Sequence, residues 1–170
     1  STIAVEPGGE RRSLPDGLLE ATFERWANEA AQRADGTRSW EGYTPYEWRS
    51  IGVLWRLGWS QRAHDLIPFF LDGMRPAAWN QWGEVVFREQ RTARFIGDMP
   101  HGWVASDFIR TLLDGVAFED ESDGSLVLGA GLRECAQPPR LDVRQAAGQG
   151  FADHIELSAH QIRQGLGRGL

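Results

Sequence analysis

The chain has 170 residues, room for one ordinary domain that buries roughly two thirds of its unfolded surface. Apolar residues make up 41% and charged residues 25%, a globular composition, and no apolar run approaches the roughly 18 residues that a membrane span needs. Asp and Glu outnumber Lys and Arg by 24 to 18, so a net charge of −6 argues against a nucleic-acid partner, and the one cysteine, Cys135, excludes an intramolecular disulfide and a Cys-rich zinc site.

Ser1 opens the chain with neither an initiator methionine nor a charged-then-apolar leader, so we expect a processed chain or a piece of a longer one. Residues 1–14 are polar with a Pro-Gly-Gly break and read as a loose lead-in. Residues 15–115 read as helical hairpins. Leu18, Leu19, Thr22, Phe23, Trp26, Ala27 and Ala30 recur at helical spacing between Pro15 and the Asp35-Gly36 stop. After a loop over 35–43, Thr44-Pro45-Tyr46-Glu47 has the form of a capping box with proline at the first helical position. The helix it opens carries a stripe of Trp48, Ile51, Leu54 and Trp55 and ends at Gly58. Ser60 reads as the cap of the next helix, Gln61 to about Leu71, and so short a link makes the two an αα-hairpin. Residues 77–90 suit one or two helical turns around Glu84–Phe87, residues 91–96 an extended stretch, and 97–100 a turn. A further helix is expected over His101–Gly115 with Val104, Phe108, Ile109 and Leu112 on its inner face. The period then changes. Residues 116–132 read as a β-hairpin closed by Glu121-Ser122-Asp123-Gly124, and 133–170 as an irregular tail with a weak helix over 151–163.

The densest chemistry lies in residues 75–110. Trp79, Trp82 and Trp103 stand off the predicted core stripes, Glu84 and Asp98 adjoin Gly or Trp, and His101 follows. Sugar rings pack their C–H faces on indole, and their hydroxyls bond carboxylate and imidazole, so this composition suits carbohydrate. A carboxylate against an indole is partly desolvated and suits acid–base work, which singles out Glu84. Each residue also has a plainer reading. Tryptophan is core material, Glu84 a solvated glutamate at a helix start, Asp98 a turn former, and His101 a cap. No HExxH, GxSxG, P-loop or GxGxxG pattern occurs, so neither a metal nor a cofactor is expected.

The order Trp82-Gly83-Glu84, then Phe95–Arg110 with His101, then Gly115 and Leu126–Leu132, resembles the C-terminal end of six-hairpin glycosidases, and more narrowly the alpha-L-rhamnosidase-like group. That resemblance implies a mainly α fold: αα-hairpins from an incomplete (α/α)6 toroid, followed by a short antiparallel β-hairpin. It further implies the C-terminal fragment of an inverting glycoside hydrolase. Glu84 would be the general base, and Trp79, Trp82, Asp98, His101 and Trp103 would line the sugar pocket. Carbohydrate is the implied partner, and a periplasmic or extracellular setting is slightly favoured. The stretch Pro100-His101-Gly102-Trp103 departs from the group's usual Asn-His-Tyr, which leaves the sugar open. The general acid of such enzymes lies in an earlier hairpin, and inversion wants two carboxyl groups about 6.5–9.5 Å apart. The chain alone is therefore expected to be inactive, and an incomplete toroid would leave helix faces open to self-association. A non-catalytic carbohydrate-binding domain, or a plain helical interaction domain, accounts for the same residues.

Overall fold

A computed structural model describes residues 2–91, 93–132 and 140–142. In chain order the elements are α1 (Thr2–Val5), α2 (Leu18–Asp35), β1 (Gly42–Tyr43), α3 (Trp48–Arg56), α4 (Ser60–Leu71), β2 (Val86–Phe87), α5 (Gly102–Val116), β3 (Ala117–Asp120), β4 (Ser125–Leu128) and β5 (Arg140–Asp142). The described chain is mainly helical, with two small antiparallel sheets, β1–β2 and β3–β4–β5.

Helix α2 buries Leu19, Phe23, Ala27 and Ala30, one stripe at helical spacing. Thr22 lies off that stripe: it is exposed, and its hydroxyl donates to the Leu18 carbonyl at 2.6 Å. Helix α3 was expected to bury one face. It is buried almost all round, from Trp48 through Trp55 with Arg49 only half-covered, because it packs against α1, α2, α4 and α5. The expected capping box does not form. Residues 45–47 make a 3-10 turn without a side-chain cap, and the Glu47 carboxylate instead accepts from Trp26 Nε1 at 2.8 Å and from Arg33. Ser60 likewise is not a cap, since its hydroxyl donates to the Ala130 carbonyl. No helical turn forms around Glu84: Val86-Phe87 is strand β2, paired to Gly42-Tyr43.

Helix α5 meets the expectation at Val104, which is buried, and at Phe108, which packs on the core, and departs from it at Ile109 and Leu112. Ile109, Leu112, Leu113 and Val116 are exposed, while Val104, Asp107, Thr111, Asp114 and Gly115 face inward. The cause sits on α3. Arg49 pairs with Asp107 at 2.6 Å and Arg56 with Asp114 at 3.3 Å. Both arginines and both aspartates are seven residues apart, two turns or about 10.5 Å of helix. In-register pairing at both ends means that α3 and α5 run side by side in the same direction. Between the two bridges the Thr111 hydroxyl donates to the Trp48 carbonyl at 2.9 Å, and Trp55 Nε1 donates to the Thr111 carbonyl at 3.1 Å. Gly52 faces the same seam, where a Cβ would make ordinary van der Waals contact with Thr111 and Asp114 at 3.5 Å.

Beyond α5 the predicted hairpin is present as β3 and β4, with Gly124 at positive φ in the link. The Gly129-Ala130-Gly131 turn is a packing device. The Gly131 N–H donates to the Gly115 carbonyl at 2.7 Å, and His64 Nε2 bonds the Gly131 carbonyl at 2.7 Å. Two expectations need correction. The lead-in expected over 1–14 is not loose across residues 2–14: α1 and a 3-10 turn at 11–13 pack on the core through buried Val5, the Glu6–Arg56 ion pair at 2.8 Å and an Arg11 bond to the Arg56 carbonyl. Within the segment read as an irregular tail, residues 140–142 form a third strand on β4. The rest of 133–170, including the helix expected over 151–163, lies outside the described residues.

Most of the tryptophan excess goes into the core. Trp48, Trp82 and Phe108 make a mutual cluster with ring centroids 4.8 to 5.8 Å apart, and Trp26 stacks on Phe70 at 6.1 Å. Such aromatic pairs add about 0.5–1.5 kcal/mol each beyond the area they bury.

Candidate functional site

The segment singled out by sequence is stitched at two points. The Val85 N–H donates to the Ile96 carbonyl at 3.1 Å, and the His101 N–H donates to the Trp82 carbonyl at 3.0 Å. These bonds hold Trp82-Gly83-Glu84 against Ile96–His101. Gly97 adopts φ +70, and a Cβ there would collide with the Glu84 side chain, so Glu84 is seated over a backbone that only glycine provides.

His101 occupies the residue before α5, is 8% exposed and makes no side-chain cap. Its Nε2 is 2.7 Å from the Tyr46 hydroxyl, and its Nδ1 is 4.0 Å from the Asp98 carboxylate. Burial raises the Tyr46 hydroxyl above its ordinary pKa. Arg49 opposes that shift, while the Glu84, Asp107 and Asp98 carboxylates reinforce it. His101 therefore bonds Tyr46 directly, while the Glu84 and Asp98 carboxylates act on the hydroxyl only through their charge. The one hydrogen-bonded pair here is His101–Tyr46; the exposed Asp98 carboxylate stands beyond hydrogen-bond distance of the imidazole.

The other predicted residues divide. Trp82 is 2% exposed, its rings are covered by Trp48 and Phe108, and its N–H donates to the Phe70 carbonyl at 3.1 Å, so it offers no face to a ligand and is corrected to a core residue. Trp79 is exposed on a 3-10 turn, and no hydrogen bond, ion pair or ring contact among the described residues ties it to Glu84 or His101. Trp103 is 73% exposed and lines a different cavity, beside Arg49 and Arg110. The cavity next to Glu84, about 270 Å³, is walled by Gly83, Val85, Phe87 and Ile96 among others, while Glu84 itself packs over Gly97.

Sequence reasoning missed Tyr46, Arg49, Asp107 and Arg110. Tyr46 was read only as part of a capping box and Arg49 was not singled out, because their partners lie 55 and 58 residues away. The matched seven-residue spacing of the Arg and Asp pairs was the available signal. No group of three or more His, Cys, Asp or Glu side chains that could hold a metal ion occurs among the described residues, and no described helix is long and apolar enough to cross a membrane. Comparison with protein families, with curated proteins and with solved structures found no match.

Proposed function

We propose that this chain supplies one wall of a saccharide cleft, as the C-terminal part of a rhamnosidase-like inverting glycoside hydrolase. The observation that carries this reading is the stitching of Trp82-Gly83-Glu84 against Ile96–His101, which seats Glu84 over Gly97 and sets Asp98 and the His101–Tyr46 pair in the same short stretch. Glu84 is the general base that draws a proton from water, exposed Asp98 bonds sugar hydroxyls, buried His101 positions Tyr46 behind them, and exposed Trp103 and Trp79 offer stacking faces beyond the cleft. The side-by-side, same-direction run of α3 and α5 supports an array of hairpins, in which the inner helices of successive hairpins point the same way. In an (α/α)6 toroid of twelve helices the remaining hairpins, and the general acid with them, would come from elsewhere.

The test is saccharide binding by the chain itself, followed by indole fluorescence and calorimetry with L-rhamnose and an aryl rhamnoside. Binding is expected without turnover. Glu84→Ala should weaken binding about tenfold or more, the loss of a hydrogen bond to a charged group. Robust hydrolysis by the isolated chain overturns the missing-acid part of the reading. Absence of any saccharide binding overturns the whole. Binding that ignores Glu84 favours a non-catalytic carbohydrate-binding domain, for which the two exposed indoles suffice.

A further inference from the structure

A second cavity, about 400 Å³, opens beside the first two turns of α5. Arg49, Gly102, Trp103, Ser106, Asp107 and Arg110 line it, and Ile3 and Pro7 close its far side. Its floor is a shared ion pair. Asp107 Oδ2 accepts from Arg49 Nε at 2.6 Å, and Oδ1 accepts from Arg110 Nη2 at 2.5 Å. The Asp107 side chain is 3% exposed, and each of its oxygens is engaged by a guanidinium. Two cations on one anion leave a net charge of +1. Arg49 uses only Nε for this bond and Arg110 only one Nη, so both keep N–H donors with no partner among the described residues. The Trp103 indole stands at the rim, 73% exposed, and nothing within 4 Å would meet a Cβ at Gly102, so the backbone there is open to approach.

We propose that this cavity is a binding site for a carboxylate-bearing saccharide of the uronate type. Guanidinium forks match carboxylate geometry, and the indole supplies a flat face for the C–H side of a sugar ring. The volume falls in the range of small-molecule sites. A single net positive charge matches a monoanion. A phosphate monoester, with nearly two charges at neutral pH, would meet the Asp107 carboxylate with a surplus of like charge. The positive end of α5 adds to the attraction. Assigning the ligand as a saccharide rests on the reading of the neighbouring site. The two adjoin across Tyr46, whose ring carries the Arg49 guanidinium at 4.5 Å and whose hydroxyl bonds His101. An acidic oligosaccharide would place its uronate here and the adjacent sugar at Glu84 and Asp98.

The experiment compares glucuronate, its neutral methyl ester, glucose 6-phosphate and benzoate by calorimetry on the full chain. Glucuronate is expected to bind more tightly than the other three, and less tightly as salt rises. Arg110→Gln, at a residue whose side chain is one-third exposed and whose Asp107 partner keeps Arg49, should weaken it about tenfold at a temperature where the variant's melting curve shows it still fully folded, and Trp103→Ala should weaken it independently. The proposal is overturned if the ester binds as well as the acid, if Arg110→Gln has no effect, or if nothing binds. Preference for the phosphate overturns the carboxylate assignment, and equal binding of benzoate overturns the saccharide assignment. Rhamnose binding that depends on Glu84 but not on Arg110, with no preference for glucuronate, sinks this site and leaves the neighbouring one standing. Glucuronate binding that depends on Arg110 while Glu84→Ala changes nothing supports this site and sinks the other.

Discussion

Replacing Asp107 with alanine tests what holds α5 onto α3. Its carboxylate is 3% exposed and is the only anion paired with both Arg49 and Arg110 among the described residues. Removing one partner of a buried ion pair costs about 3–5 kcal/mol, most of it from the charge left behind. Here the orphaned guanidiniums retain 21% and 34% of their side-chain exposure, so water screens part of that cost. The expected loss is about 2–4 kcal/mol, a fall in Tm of roughly 5–15 °C for a chain of this size. Asp114→Ala is the internal comparison. Burial holds the Asp114 carboxyl above its ordinary range, with Arg56 only partly opposing, and Arg56 keeps Glu6 at 2.8 Å when Asp114 is gone. Asp114→Ala should therefore cost less than Asp107→Ala. Urea unfolding followed by far-ultraviolet circular dichroism, with a double-mutant cycle through Arg49→Ala, measures both. An Asp107→Ala cost below about 0.5 kcal/mol, or no larger than that of Asp114→Ala, would refute the argument that the shared bridge clamps the two helices.

Three further outcomes are expected. Gly131→Ala puts a Cβ 2.8 Å from the Gly115 Cα and 3.0 Å from its carbonyl oxygen, and backbone cannot swing aside, so a loss of about 1–3 kcal/mol should appear in the same denaturation assay. Burial pushes the Asp120 carboxyl up, but hydrogen bonds from Ser122 and Arg140 outweigh it and hold the group below the ordinary 3.8. Its contribution to stability is therefore present above about pH 4 and lost as pH falls through the folded-state value, so Asp120→Asn should flatten the acid limb of the stability profile. Asp114 has the opposite sign. Its raised pKa makes stability fall as pH rises from 3.8 through its folded value, and Asp114→Asn should remove that slope in urea midpoints taken across the range.

Much of the helical frame was legible along the chain because its signals are local. The stripe over 19–30, the glycines at 36 and 58, and the hairpin link at 121–124 each depend on neighbours within a few residues. Glu84, Asp98 and His101 could be nominated for the same reason: they lie within one short stretch of sequence. Tyr46 could not be joined to them that way, since its hydrogen bond to His101 spans 55 residues.

Other outcomes required the partner surface. An indole suits a core and a ligand platform equally well, and only the rings of Trp48 and Phe108 closing over Trp82 made it core while Trp103 stayed exposed. In α5 the apolar pattern pointed Ile109 and Leu112 inward. The arginines of α3, two turns apart, instead drew Asp107 and Asp114 inward, because a half-buried guanidinium needs an anion more than an aliphatic side chain needs cover. Local chemistry thus marked the four longer helices and the β3–β4 hairpin, whereas α1, β2 and β5 took their form from distant partners. Which face of α5 turned inward, and which side chains met, was decided by charge and ring partners far away in the chain.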